Sequence, residues 1–164
     1  MGVPDRETDE SRRPDTSPDL ARRYRRLSIL IAVALAPWNV VVRGSFVSSF
    51  HAFGIVNLDP LGLTSIVEYY FLYTQGLQPY LNAWGLGVFA FAVGLASALS
   101  GLIWREDVRV TAAMFVLAGF AQLVFTLGFL RRPGYVAVPV GTVLLWGVVW
   151  RYYRDDLRAI FRYP

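Results

Sequence analysis

The side chains able to carry acid–base or coordination chemistry are sparse in this sequence, and those in its apolar middle cluster in one stretch. His51, Asp59 and Glu68 fall within residues 44–80, with Arg43 just ahead of them. An imidazole, two carboxylates and a guanidinium on one side of a molecule could form a small polar site, with Glu68 and Arg43 as its ion pair. Each also has an ordinary role. Ser65 and Glu68 have capping-box spacing, the Arg43 stem can carry its charge to an interface, and His51 can lie at a boundary with water. One histidine and no cysteine leave only scattered carboxylates as ligands, so neither a metal site nor a cofactor is expected. Disulfides and thiol chemistry are excluded outright. No HExxH, P-loop or nucleophile elbow occurs, and Gly85-Leu86-Gly87 opens an apolar run instead of following a strand. No catalytic residue is assigned, and the expectation is a protein that is not an enzyme.

The elements that would position these residues are membrane spans. Hydrophobic residues make up 55% of the 164 and charged residues 17%, against about 45–50% and 25% in soluble domains. Most charges sit near the two ends, and none occurs between Glu68 and Arg105. The apolar runs predict an all-α fold, a four-helix transmembrane bundle with spans at about 27–46, 81–104, 110–130 and 135–150. Residues 1–21 read as a disordered tail, 22–150 as the membrane domain, and 151–164 as an amphipathic basic tail. Tyr24, Trp84, Trp104, Tyr135 and Trp150 stand at span ends, as an interfacial belt would. In the 44–80 loop, a helix from about Ser65 to Gln75, stopped by Gly76, would lie on the outer leaflet. Asp59 capping a helix that starts at Pro60 is the alternative.

Arginine supplies all sixteen basic residues. Arg22, Arg23, Arg25, Arg26, Arg105, Arg109, Arg151, Arg154, Arg158 and Arg162 flank one side of the spans, and only Arg43, Arg131 and Arg132 the other. The positive-inside rule then puts both termini in the cytoplasm of a multi-pass cell-membrane protein. The arginines flank spans and do not form a separate basic domain, which argues against nucleic acid as a partner. Arg22, Arg23, Arg25, Arg26, Arg151, Arg154 and Arg158 form a collar suited to anionic headgroups. Ala34-Leu35-Ala36 imitates a signal-peptidase site, but Pro37 directly after it is a poor neighbour for such a cut.

Within the spans, Asn39 and Gln122 are the clear polar amides, suited to hydrogen bonding between helices or to lining a path. Ala90, Gly94 and Ala98, with Gly101, give a small-residue seam for helix packing inside the bundle, or against a membrane-protein partner or a second copy.

Several segments carry a resemblance: Tyr73-Thr74-Gln75-Gly76-Leu77, Ala96-Ser97-Ala98-Leu99-Ser100-Gly101, Arg105-Glu106-Asp107 with Arg109-Val110-Thr111-Ala112, and Ala137-Val138-Pro139-Val140-Gly141-Thr142. Together they resemble an uncharacterised family of small four-span membrane proteins from haloarchaea, over about residues 27–150. The resemblance implies lineage and architecture, and no activity. Three classes of function follow in order of expectation. The first is a structural, assembly or accessory component. The second is an oligomeric transporter or channel component using Asn39 and Gln122, and the third an outer-face enzyme or binding protein centred on Glu68.

Overall fold

Two prolines decide the architecture. In the computed structural model, which describes residues 17–72, 79–103 and 106–161, helix α1 (Ser17–Leu35) stops ahead of Pro37. A residue before proline is pushed out of the helical region, and proline itself brings no N–H to the helix ladder. Asn39–Arg43 then runs on as strand β1, its three consecutive valines stiff at χ1 and suited to a pleat. Pro139 does the reverse. Strand β5, Val136–Val138, precedes it, and the helix starting at Val140 follows it.

Between these points the chain builds a meander. Gly44 has φ +60 while no non-glycine residue among those described, Ser45 included, has positive φ, so Gly44-Ser45 makes the type II′ turn that suits a two-residue hairpin. It leads into β2 (Phe46–Phe50), then β3 (Gly54–Leu58), the cis Asp59-Pro60 turn and β4 (Leu61–Ser65). Helix α2 (Ile66–Phe71) follows, then α3 (Pro79–Ile103), α4 (Val108–Leu130), β5, α5 (Val140–Tyr152) and α6 (Arg154–Phe161). The sheet is antiparallel in the order β4-β3-β2-β1-β5.

Contacts define two ends. At one, Glu106 in the α3–α4 turn pairs with Arg26 of α1 and accepts from the Tyr153 hydroxyl at 3.1 Å. At the other, Arg43 donates to the Tyr135 hydroxyl at 3.0 Å, and the Arg132 guanidinium lies 5.1 Å over the Tyr80 ring. The chain therefore passes between the ends along α1–β1, α3, α4 and β5–α5. Helices occupy the Arg26 end, around a core of Leu30, Phe91, Phe115, Leu145 and Tyr153. At the far end the sheet lies on α3 and α4, where Val41, Phe50 and Ile55 pack on Trp84, Phe125 and Phe129.

The all-α four-helix bundle expected from the sequence is thus corrected to helices plus a five-stranded sheet. Among the described residues only α3 and α4, close to the expected spans 81–104 and 110–130, are long and apolar enough to cross a membrane. The runs at 27–46 and 135–150 are each part helix and part strand, and the thirteen residues of α5 reach about 20 Å, short of a roughly 30 Å hydrocarbon core. The 44–80 loop holds three strands and the short helix α2, and the helix at 17–35 takes in the end of the tail expected to be disordered. The rest of that tail, the expected continuation of α2 to Gln75, and Trp104, Arg105 and Arg162 lie outside the described residues.

Candidate functional site

The sheet has two faces of opposite chemistry. Register and burial place Asn39, Val41, Arg43, Ser48, Phe50, Ile55, Asn57, Thr64 and Ala137 on the face toward α3 and α4. That inner face carries most of the sheet's polar groups. Asn39 Nδ2 donates to Gln122 Oε1 at 2.6 Å, and Thr126 Oγ1 donates to Asn39 Oδ1 at 2.7 Å. All three side chains are buried, and Gln122 Nε2, packed against Gly87, has no hydrogen-bond partner. The two amides singled out in the sequence therefore meet each other, joined by Thr126, which sequence reasoning passed over. Ser48 Oγ donates to Asn57 Oδ1 at 2.7 Å. Nearer the Tyr135 end a small cleft of about 250 Å³ opens between Arg43, Ser48 and Tyr135.

The expected outer polar cluster is not one site. Arg43 and Asp59 lie at the hairpin-turn end of the strands, whereas His51 and Glu68 lie at the other, where Asn39 pairs with Phe50 and Gly54 with Ser65. A five-residue strand separates the two ends by about 13 Å. Glu68 completes a capping box: its Oε2 accepts from Ser65 N–H at 3.0 Å, and its own N–H reaches Ser65 Oγ at 3.1 Å. His51 Nδ1 is 3.1 Å from the carbonyl of Leu35, an oxygen that can only accept, so the proton belongs on Nδ1. Nε2 is 3.0 Å from Ser49 Oγ, which also reaches the Val56 carbonyl at 3.3 Å. This chain of contacts fastens the β2–β3 turn to the end of α1.

Trp84, expected in an interfacial belt, is fully buried and donates to the His51 carbonyl at 3.0 Å. Beside it, Tyr70 hydroxyl donates to Leu81 O and accepts from Gly85 N–H, fixing α2 against α3. Burial pushes the phenol of Tyr69 up, with Tyr80 adding to the effect. Burial likewise raises Tyr70, partly offset by the Gly85 hydrogen bond. Both rings therefore stay neutral at physiological pH.

The opposite face of the sheet reads Val136, Val138, Val40, Val42, Val47, Val56, Leu58, Leu61 and Leu63, with Ser49 and the helix-capping Ser65 its polar side chains. Leu61 is 81% exposed and Leu63 66%. Antiparallel sheets that meet water on one face turn polar residues outward; this one turns them inward. The pattern is hidden in β1 and β2, because Val41 and Phe50 occupy inner positions.

The small-residue seam is filled from within. A Cβ on Gly94 would come 2.7 Å from the Phe115 ring, and one on Gly101 2.7 Å from Glu106. Ala90 and Ala98 are buried in the same core. At the arginine-rich end, Arg26 lies 4.7 Å over the Tyr153 ring, Arg151 5.5 Å over Tyr152 and Arg154 5.1 Å over Trp150. Arg25 and Arg158 are exposed. Arg22 and Arg23 lie in α1, and their side chains are outside the described set. Among the described residues no cluster of ligating side chains could hold a metal.

These features define a helix-and-sheet protein with two helices of membrane-crossing length and an apolar outward sheet face. The chain belongs to the family described as Domain of unknown function (DUF8050), whose model matches residues 6–163. Neither a curated protein nor a solved structure matches it.

Proposed function

We propose that this is a multi-pass membrane protein that acts as a non-enzymatic assembly or accessory component, through contact of another polypeptide with the outer sheet face. Helices α3 and α4 supply two crossings, and the α1–β1 and β5–α5 legs bridge the same two ends beside them. Arg25, Arg26, Arg109, Arg151, Arg154 and Arg158 belong to one end of the molecule and Arg43, Arg131 and Arg132 to the other, which favours a cytoplasmic Arg26 end and cytoplasmic termini. The arginine-only basic set and the acidic first residues fit a haloarchaeal source.

The inverted sheet carries the functional reading. Its edges, β4 and β5, have no place facing lipid tails, where unpaired backbone groups go unsatisfied. Exposed Arg43 and Glu68 stand at opposite ends of the strands, and charges there are costly in hydrocarbon. Both arguments favour a sheet outside the hydrocarbon layer. An apolar face of this extent, removed from both lipid and the protein's own core, is a protein-contact surface. The mutual burial of Asn39 and Gln122 supports a fastening role for them over a solute path.

A photo-crosslinking residue at position 63, activated in native membranes, is expected to capture one defined protein. A product of twice the chain mass would identify a second copy. Leu58→Glu with Leu63→Glu should abolish capture from position 61 and leave the thermal transition within about 2 °C, since exposed positions tolerate change. Capture of lipid alone would overturn the reading.

A further inference from the structure

The arginine-rich end holds a feature that a diffuse basic collar does not require. Helix α6 turns back beside α4 and α5 after Tyr153, and a groove of about 930 Å³ opens between them. Its walls are Val116, Trp146, Trp150 and Leu157, and Arg154 and Arg158 join them from the basic side of α6. Trp146 forms the floor: its ring lies across α4 at Gly119, where any side chain would collide with it, and its Nε1 donates to the Val116 carbonyl at 3.1 Å. Val116 is eight residues into α4, so the groove reaches about 12 Å from the helix start toward the centre of the molecule.

Apolar walls joined by two guanidinium groups match one kind of occupant. We propose that this groove binds a single anionic phospholipid, with a chain along Trp146 and Leu157 and the phosphate held by Arg154 and Arg158. The volume is that of a ligand site, and basic pockets beside membrane helices on the cytoplasmic side suit phosphate headgroups. Of the two aspartates between Arg154 and Arg158, the one whose side chain is described does not neutralise the pair. Asp155 is exposed and meets Arg154 only at Nε, 3.4 Å away, a surface contact of little energetic weight. Arg154 also stacks on Trp150, which holds its guanidinium at the groove. The inference rests on the membrane placement proposed above and is independent of the sheet-face partner.

The test is native mass spectrometry of the full chain, released from micelles containing equal amounts of phosphatidylglycerol and phosphatidylcholine. One phosphatidylglycerol per chain should be retained in preference, and Arg154→Gln with Arg158→Gln should lower that retention about tenfold or more. Val116→Trp, which fills the groove and leaves both arginines in place, should lower it too. Equal retention of the two lipids, or retention unchanged in both variants, would overturn the proposal. Capture from position 63 in the same variants separates the two readings: it persists if the groove alone has been misread, and its absence in the unmodified protein speaks only to the sheet face.

Discussion

Trp38→Ala is expected to destabilise the fold by about 3–5 kcal/mol, the range for truncating a fully buried aromatic residue. For a chain of this size that lowers the thermal midpoint by about 10 °C. Trp38 stands where α1 becomes β1 and ties three elements together. Its N–H donates to the Phe50 carbonyl and its carbonyl accepts from Gly141 N–H, both at 2.7 Å, while the indole Nε1 donates to the Val33 carbonyl at 2.8 Å. The ring meets Phe91 edge to face at 5.1 Å. Gly141 is the counterpart, since a Cβ there would come 2.8 Å from Trp38 Cβ. Alanine keeps both backbone bonds but empties the junction and leaves the Val33 carbonyl without its indole donor. Trp38→Phe separates the two effects: it retains most of the ring volume and loses the indole hydrogen bond, for about 1 kcal/mol. Circular dichroism melts of the detergent-solubilised protein measure both. Equal midpoints for the alanine and phenylalanine variants would show that packing at the junction contributes little.

That junction is also where sequence reading and structure part. Helices α3 and α4 were legible because each is a long run without interior charge, and length alone separates such a run from a strand. The start of α2 was legible because Ser65 and Glu68 cap each other locally and need no tertiary partner. The sheet was not. Leu27–Val42 is one apolar run by hydropathy, which does not register that Pro37 inside it marks a change of structure. Alternation failed as a signal because the outer face is as apolar as the core: Val40, Val41 and Val42 point to alternate faces and look the same. The available cues were the Gly44-Ser45 turn, the Asp59-Pro60 turn and the five-residue strand lengths. Of the candidate polar residues, Asn39 and Gln122 were legible as buried amides, but their pairing across a separation of 83 positions follows from the sheet docking on α4. The outer polar cluster dissolved for the same reason: residues close in a loop of unknown course sit at opposite ends of strands.

The buried amides yield the second large effect, and its asymmetry is the informative part. Asn39→Leu leaves the whole Gln122 carboxamide without a partner, because Oε1 loses its donor and Nε2 has no acceptor at the outset. Thr126 escapes the loss, since its hydroxyl also reaches the Gln122 carbonyl at 3.0 Å. The newly stranded, fully buried Oε1 costs about 2 kcal/mol. Gln122→Leu is the milder change. It strands Asn39 Nδ2 while Thr126 continues to donate to Asn39 Oδ1, and it removes the orphan Nε2, so the expected cost is about 1 kcal/mol. The double replacement removes both unsatisfied groups and should lie well below the sum of the two single changes, a coupling of about 1–2 kcal/mol between side chains in contact. If the amides were exposed to water along a solute path, each would keep solvent as an alternative partner and the three variants would be nearly additive. Thermal melts of the two single variants and the double variant therefore decide between a sealed fastening of sheet to helix and an open polar path. A Gln122→Leu loss as large as that of Asn39→Leu would contradict the sealed arrangement.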